Sequence, residues 1–325
     1  MSGKNAFLAT LGVAASVALS TAADAQTYPS KTVKLIVPFP AGGPADTIGR
    51  IYAEKLSALV GQPVVIENRA GAGGVTGIAV VSKADPDGHT IGIATSGTLA
   101  MNVVLQEKLP YDPLKDLMLV TQAASVPELL VVGPQVPANT LQELVALAKA
   151  QPGKINFAST GPGSMPHMAA ELFKSSARID IVHVPYTGAA PAVNDILGGH
   201  VQMLFADVPV LLGSVTSGKL RALAVATGKR IDVLPDVPTT AENGLPGVMA
   251  DNWYGIVAPA NMPPAVQDFL MKVSMAALKS AEVTEKLGKQ GVLTVGNTSA
   301  EFTTYVNGEI ARWGQLVKTA GIKLK

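Results

Sequence analysis

From residue 33 onward the chain alternates short apolar runs with longer stretches in which apolar residues recur every three or four positions. The first kind has the length of a strand, the second the period of a helix with one buried face. Residues 33–39 read as a buried strand and 45–59 as the helix after it. Residues 64–67 form the next strand. The segment opened by Asn68-Arg69-Ala70-Gly71-Ala72-Gly73-Gly74 continues as a helix to about Lys83, and 89–94 is a third strand after the turn Pro86-Asp87-Gly88. Strand and helix in regular alternation specify an α/β architecture with mostly parallel sheets.

A second block of the same kind begins near Pro127. Strands are predicted at 129–132, 155–158, 181–184, 201–206 and 220–226. Asn139 or Thr140 caps a helix carrying Leu141, Leu144, Val145 and Ala148, closed by Pro152-Gly153. Residues 165–176 and 190–197 are further helices, the latter stopped by Gly198-Gly199. Beyond Gly244-Leu245-Pro246-Gly247 the pattern changes to a strand at 253–258, a long amphipathic helix at 264–280, and a final helix. Thr298-Ser299-Ala300-Glu301 opens that helix as a capping box. Phe302, Val306, Ile310, Trp313 and Val317 then make one apolar stripe, the signature of core packing.

The 325 residues are enough for two domains with a sizeable core. Lys and Arg number 25 against 24 Asp and Glu, and no run of one sign occurs. A nucleic-acid footprint or a polybasic membrane surface is therefore excluded. The first 25 residues have a short basic start at Lys4, an apolar stretch at 7–19 and Ala23-Asp24-Ala25 before Gln26. That is the build of a cleaved secretory signal peptide, too short for a stable membrane span, so the mature chain is expected to begin near Gln26. No cysteine is present, which removes a lipid-attachment thiol, a disulfide and a thiolate metal site. The expected product is an exported protein, free in its compartment.

In open α/β sheets ligands bind beyond the carboxyl ends of strands, where helix N-termini present unpaired N–H groups. Two segments have that placing. One is Val37-Pro38-Phe39-Pro40-Ala41-Gly42-Gly43-Pro44-Ala45-Asp46; the other, about 120 residues later, is Phe157-Ala158-Ser159-Thr160-Gly161-Pro162-Gly163-Ser164-Met165-Pro166-His167. Each runs from a strand through a Gly and Pro loop to a polar residue entering a helix, Asp46 or His167. For one loop alone, glycines that only make turns and prolines that only stiffen them are an equal reading. The repetition favours two jaws closing on one ligand. Neither loop has the lysine of a phosphate loop, and Gly71-Ala72-Gly73 reaches its third glycine at Gly77, one residue late for a dinucleotide fingerprint. An uncharged nest of amides and hydroxyls suits a small carboxylate.

No Gly-x-Ser-x-Gly elbow occurs, and His89, His167, His183 and His200 lack metal-ligand spacing. No closely spaced carboxylate pair argues for acid and base work. The chain is thus expected not to be an enzyme, with no catalytic residue, metal or cofactor. His183 reads as a core residue, and His89 and His200 as surface or capping residues. His167 reads as a ligand contact or its support. Asp46 caps its helix or holds a water or amino group of the ligand, and Asp207, at a strand end, is either a cleft residue or an N-cap before Val208.

Lys34-Leu35-Ile36-Val37-Pro38-Phe39-Pro40-Ala41-Gly42-Gly43 with Asp46 and Arg50, Glu67-Asn68-Arg69 and Gly71-Ala72-Gly73-Gly74 closely resemble the Bug family, substrate-binding proteins of tripartite tricarboxylate transporters. The resemblance continues in order through Pro86-Asp87-Gly88, His183-Val184-Pro185-Tyr186 with Gly188 and Pro191, Gly218-Lys219-Leu220-Arg221, Pro235-Asp236-Val237-Pro238-Thr239 and Ala258-Pro259-Ala260. It implies a two-domain periplasmic-binding-protein (Venus-flytrap) fold, each domain a mixed β-sheet flanked by helices. Domain 1 would comprise residues 26–126 and 251–325, and domain 2 residues 127–250. It further implies two pincer loops that hold a ligand carboxylate through amides, hydroxyls and bridging water. By position the first pincer is Phe39, Pro40, Ala41, Gly42, Gly43 and Asp46, with Ala41 and Gly42 supplying amides. The second is Ser159, Thr160, Gly163, Ser164 and His167, with Thr160 and Ser164 supplying hydroxyls or amides. Ser96 and Asn102 would line the site and Asp207 would meet the ligand's far end. Pro44-Ala45 departs from the pattern, because Pro44 removes one N–H donor. The implied function is a monomeric periplasmic protein that captures a small mono- or dicarboxylate for the membrane subunits of a tripartite tricarboxylate transporter. The alternative is a ligand-sensing module that signals to a membrane receptor.

Overall fold

A computed structural model describes residues 28–320; the signal peptide expected at 1–25 lies outside the described residues. The first part of the chain folds as β1 (Val33–Val37), α1 (Pro44–Val60), β2 (Val64–Asn68), α2 (Val75–Ser82) and β3 (Thr90–Thr95). β1 lies between β2 and β3, parallel to both. A π-helical turn at 97–101 leads into the short α3 (Asn102–Leu105), and β4 (Leu117–Val132) follows. The second part runs α4 (Leu141–Ala150), β5 (Ile155–Ser159), α5 (Met165–Ala177), β6 (Ile181–Pro185), α6 (Ala189–Gly198), β7 (Met203–Asp207), α7 (Val208–Thr216) and β8 (Arg221–Val225). The chain then returns through β9 (Asp251–Pro259), α8 (Pro264–Leu278), α9 (Ala281–Gly288), β10 (Leu293–Thr294) and α10 (Ser299–Ala320).

The sheet order is β2-β1-β3-β9-β4-β7-β5-β6, with β8 and β10 also paired to β4. β4 is therefore shared. Residues 117–127 pair antiparallel with β9, and 128–132 pair antiparallel with β7. Where β4 passes from one set of strands to the other, three segments are laced by their backbones. Glu128 N–H donates to Ala250 C=O at 3.2 Å, Ala226 N–H to Glu128 C=O at 2.9 Å, and Ala250 N–H to Ala226 C=O at 2.8 Å. α10 packs back on β4 and on the 97–101 turn. Its stripe residues Phe302, Val306 and Trp313 are fully buried. Trp253 and Trp313 both donate their indole N–H to the buried Glu309 carboxylate, each at 3.1 Å.

Several elements depart from the sequence reading for local reasons. No strand is predicted over 117–128, because Thr121, Gln122 and Ser125 interrupt the apolar run. In the fold two of these residues are tied to Asn297: Thr121 donates to Asn297 C=O at 2.6 Å and Gln122 N–H to Asn297 Oδ1 at 2.8 Å. The helix predicted from Asn68 starts only at Val75, since Asn68 ends β2 and Gly73 and Gly74 take left-handed φ values of 62° and 95°. The helix predicted to reach residue 280 stops at Leu278, and Ser280 instead caps α9. Thr140 caps α4 and the Thr298–Glu301 capping box forms reciprocally.

Candidate ligand-binding site

The first loop is built around Asp46. Proline at the first position of α1 fixes the helix entry, and Gly43 as N-cap provides no side-chain cap. Asp46 Oδ2 accepts from Gly42 N–H at 2.9 Å and from Arg50 Nε at 2.8 Å; Oδ1 accepts from Arg50 Nη2 and Asn68 Nδ2, both at 3.0 Å. Asn68 Nδ2 also donates to Phe39 C=O at 3.0 Å. Burial works against the Asp46 charge, but the Arg50 guanidinium and the Gly42 and Asn68 donors outweigh it and hold the carboxyl below its ordinary range. Asp46 is thus the tie that shapes the loop, and it consumes the Gly42 N–H.

The second loop is held by two stacked histidines. The rings of His167 and His183 lie 4.1 Å apart, centre to centre, and the Phe157 ring is near parallel to both, 4.9 Å from His183 and 6.4 Å from His167. His167 Nδ1 accepts from Gly163 N–H at 3.1 Å, so that nitrogen carries no proton. His183 Nε2 and Ser159 Oγ share a 2.6 Å hydrogen bond, and Ser159 Oγ accepts from Gly161 N–H at 3.1 Å. Burial, with the neighbouring His183 ring, pushes His167 down to about 3, and burial pushes His183 down to about 4. Both rings are neutral at neutral pH.

A third loop stands beside these two. After β6, Gly188 as N-cap opens α6, again with no side-chain cap, and Pro191 sits in the first turn. A Cβ at Gly188 would come within 3.0 Å of the Pro40 ring, so the first and third loops abut.

Together the loops enclose a cleft of about 610 Å³ with its open mouth included. Phe39, Pro40, Ala41, Gly43, Pro44 and Ala45 form one wall; Thr160, Ser164, Met165 and Pro166 a second; Gly188, Ala189, Ala190 and Pro191 a third. Thr95, Ala206, Asp207, Val210, Asn252 and Tyr254 complete the lining. Three α-helices begin at this cleft without a side-chain cap, so first-turn N–H groups and positive helix ends meet there. None of the lining residues is Lys, Arg or His.

The floor is acidic. Asp207 accepts from Asn252 Nδ2 at 2.9 Å and from the Tyr254 hydroxyl; Asn252 Nδ2 also reaches Tyr254 Oη at 3.0 Å, and Ser96 Oγ donates to Asn252 Oδ1 at 2.7 Å. Glu128 lies opposite Asp207 in the β4–β7 ladder, fully buried, and neither of its carboxyl oxygens receives a donor. Burial first, then the adjacent Asp207 charge, push Glu128 well above the ordinary glutamate range. Glu128, with no partner at either oxygen, is the acid that keeps its proton; burial raises the Asp207 carboxyl too, but its Asn252 and Tyr254 donors work the other way. Of the two acids only Asp207 has donors placed to hold a charge.

Of the residues singled out in the sequence, Phe39, Pro40, Ala41, Gly43, Thr160, Ser164 and Asp207 line the cleft. Gly42, Asp46, Ser159, Gly163 and His167 stand behind it, bonded to one another within their loops. Ser96 supports Asn252, and Asn102 donates to Gly97 C=O at 2.8 Å beneath Gly163. The third loop carries the same Gly-then-Pro helix entry after a strand as the first two, and that signal was available in the sequence. Nothing local marks Glu128, Asn252 or Tyr254.

A family model described as tripartite tricarboxylate transporter family receptor matches residues 48–322. The chain belongs to this receptor family. Protein BugT of Bordetella pertussis is 39% identical over 320 residues, covering 98% of this chain and 96% of its own. An R. palustris protein solved with adipate is 35% identical with a TM-score of 0.88, covering 91% of this chain and 99% of that one. The periplasmic binding protein BugD is 32% identical, also at 0.88, covering 92% and 100%. The fold is thus the two-domain periplasmic-binding-protein fold, and the family is one of solute-binding receptors, not enzymes. Among the described residues no helix is long and apolar enough to cross a membrane, and no cluster of three His, Asp or Glu could hold a metal.

Proposed function

We propose that this receptor resides in the periplasm, released from a signal peptide at about residue 25, and captures a small carboxylate between its loops for delivery to the membrane subunits of a tripartite tricarboxylate transporter. The observation that carries the reading is the convergence of three uncapped helix N-termini on a cleft lined by no cationic side chain. Such a rim stabilises an anion through oriented N–H groups and helix dipoles rather than through an ion pair. Ala41, Gly43, Thr160 and Ser164 would touch the carboxylate, with the third loop at Ala189 and Ala190. Gly42, Asp46, Ser159, Gly163, His167 and Asn102 would hold that surface in place. The adipate of the R. palustris protein supports the ligand class. The domains would meet at the laced crossing, residues 26–126 and 251–325 on one side and 127–250 on the other, and would close on the ligand as a monomer by hinge motion.

A thermal-shift panel of small carboxylates, neutral sugars and amines tests this. A carboxylate at 100 times its Kd adds about 2.7 kcal/mol of stability and a corresponding rise in Tm. If sugars or amines raise Tm and no carboxylate does, the reading is wrong.

A further inference from the structure

The donors on the cleft floor are already committed. The Tyr254 hydroxyl donates to Asp207, Asn252 Nδ2 serves Asp207 and Tyr254, and Ser96 donates to Asn252. Only the Thr95 hydroxyl among the polar side chains there has no acceptor of this kind engaged. The Glu128 carboxyl, fully buried and without a partner at either oxygen, stands opposite Asp207 in the β4–β7 ladder. Asp207 therefore gathers two donors where Glu128 has none, and is the acid of the pair placed to bear a charge, in a lining that contains no cation. The other titratable groups nearby do not offset that charge: Tyr254 is a neutral phenol, and Asp251 acts on Glu128 by repulsion, with Arg312 and Glu309 acting in turn on Asp251. One end of the cleft thus attracts an anion through helix N-termini, and the other presents a carboxylate with no counter-charge.

We propose that Asp207 is the specificity residue of this receptor and selects ligands that carry a carboxylate at one end and a cationic hydrogen-bond donor, an ammonium group, at the other, in preference to fully ionised dicarboxylates. The inference rests on the carboxylate reading above. A second carboxylate would face Asp207 with the Thr95 hydroxyl as its one uncommitted side-chain donor on the floor and no cation, whereas an ammonium supplies the missing counter-charge and bonds to a carboxylate in its strongest form. A dicarboxylate enters only with its far carboxyl protonated.

The test uses two matched sets with the mature protein in calorimetry at pH 7.5: 6-aminohexanoate, hexanoate and adipate, and 4-aminobutyrate, butyrate and succinate. The expected result is that, in at least one set, the amino acid binds tenfold or more tighter than both its partners, and that Asp207→Asn removes that preference. Adipate or succinate is expected to gain affinity as pH falls from 7.5 to 5.5, while hexanoate or butyrate does not. This second readout requires no variant, so a folding defect in Asp207→Asn leaves the test intact. A dicarboxylate that binds as tightly as the amino acid at pH 7.5, with no pH dependence, overturns the proposal and leaves carboxylate capture standing. Binding by none of these, with sugars or amines raising Tm in the panel above, removes the carboxylate reading itself.

Discussion

At the residue scale, the groups that decide the rim are those that hold it rather than those that line it. His167 shows the distinction. Its Nδ1 accepts the Gly163 N–H, its ring stacks on His183, and the cleft lies on the far side of the loop it supports. Both rings fold with pKa values below the ordinary 6.5, about 3 for His167 and about 4 for His183. The unfolded chain therefore binds more protons between those values and 6.5, so the contribution of the pair is fully present above pH 6.5 and is lost as pH falls. The loss for His167 is about 1.4 kcal/mol per pH unit below 6.5, and less for the partly exposed His183. Urea unfolding at pH 7.5, 6.5 and 5.5 should show this acid slope. His167→Asn, which keeps an acceptor near Nδ1 without the titration, should flatten it and retain ligand affinity; an unchanged slope would exclude the histidine as its source.

At the element scale, the cleft exists because helices α1, α5 and α6 each begin straight after a strand and a glycine, with proline in the first turn. The same local chemistry supplies the contacts that bring the loops together. Gly73, in the segment before α2, approaches Pro162 so closely that a Cβ there would lie 2.5 Å from its carbonyl oxygen. Gly61, at the end of α1, has a similar φ of 68° against 62° for Gly73, yet has nothing within 4 Å. Gly61→Ala is thus the control for backbone strain alone, about 1 kcal/mol. Gly73→Ala should cost similar stability but, in addition, prop the two loops apart and raise the ligand off-rate tenfold or more in stopped-flow release. Equal off-rates in the two variants would show that this contact does not keep the cleft shut. Two of the three helix entries were legible as loop motifs. The third, Gly188-Ala189-Ala190-Pro191, has no polar residue entering its helix comparable to Asp46 or His167, which is why the pattern passed over it.

At the scale of the whole molecule, β4 links the two sets of strands, and Glu128 sits where the three connecting segments are laced. A protonated carboxyl there makes stability pH-dependent in the sense opposite to the histidines. Its folded pKa is raised above the ordinary 4.5, so its contribution is present below 4.5 and is lost, by about 1.4 kcal/mol per pH unit, as pH rises toward the folded value. Glu128→Gln keeps the position opposite Asp207 neutral at every pH. The variant should equal or exceed the native protein in stability at pH 7.5, with the advantage shrinking toward pH 4.5. A variant less stable at pH 7.5 than at pH 5, relative to native, would mean that Glu128 is ionised in the fold.

The sequence by itself determined the alternation of strands and helices and the two Gly and Pro loops that enter helices beside the cleft, because hydrophobic period, capping and Gly or Pro turn chemistry act between residues a few positions apart. Even there, the polar interruptions of 117–128 hid the first three quarters of β4, since the Asn297 groups that pair with Thr121 and Gln122 lie more than 170 positions away. Only the tertiary structure decided the floor. Asp207 meets Asn252 across 45 positions and Tyr254 across 47, and Ser96 meets Asn252 across 156. Strand pairing, not local pattern, sets Glu128 opposite Asp207 and buries both. The charge that a ligand meets at the far end of the cleft is therefore a property of the assembled sheet, where burial and a neighbouring carboxylate fix which acid keeps its proton.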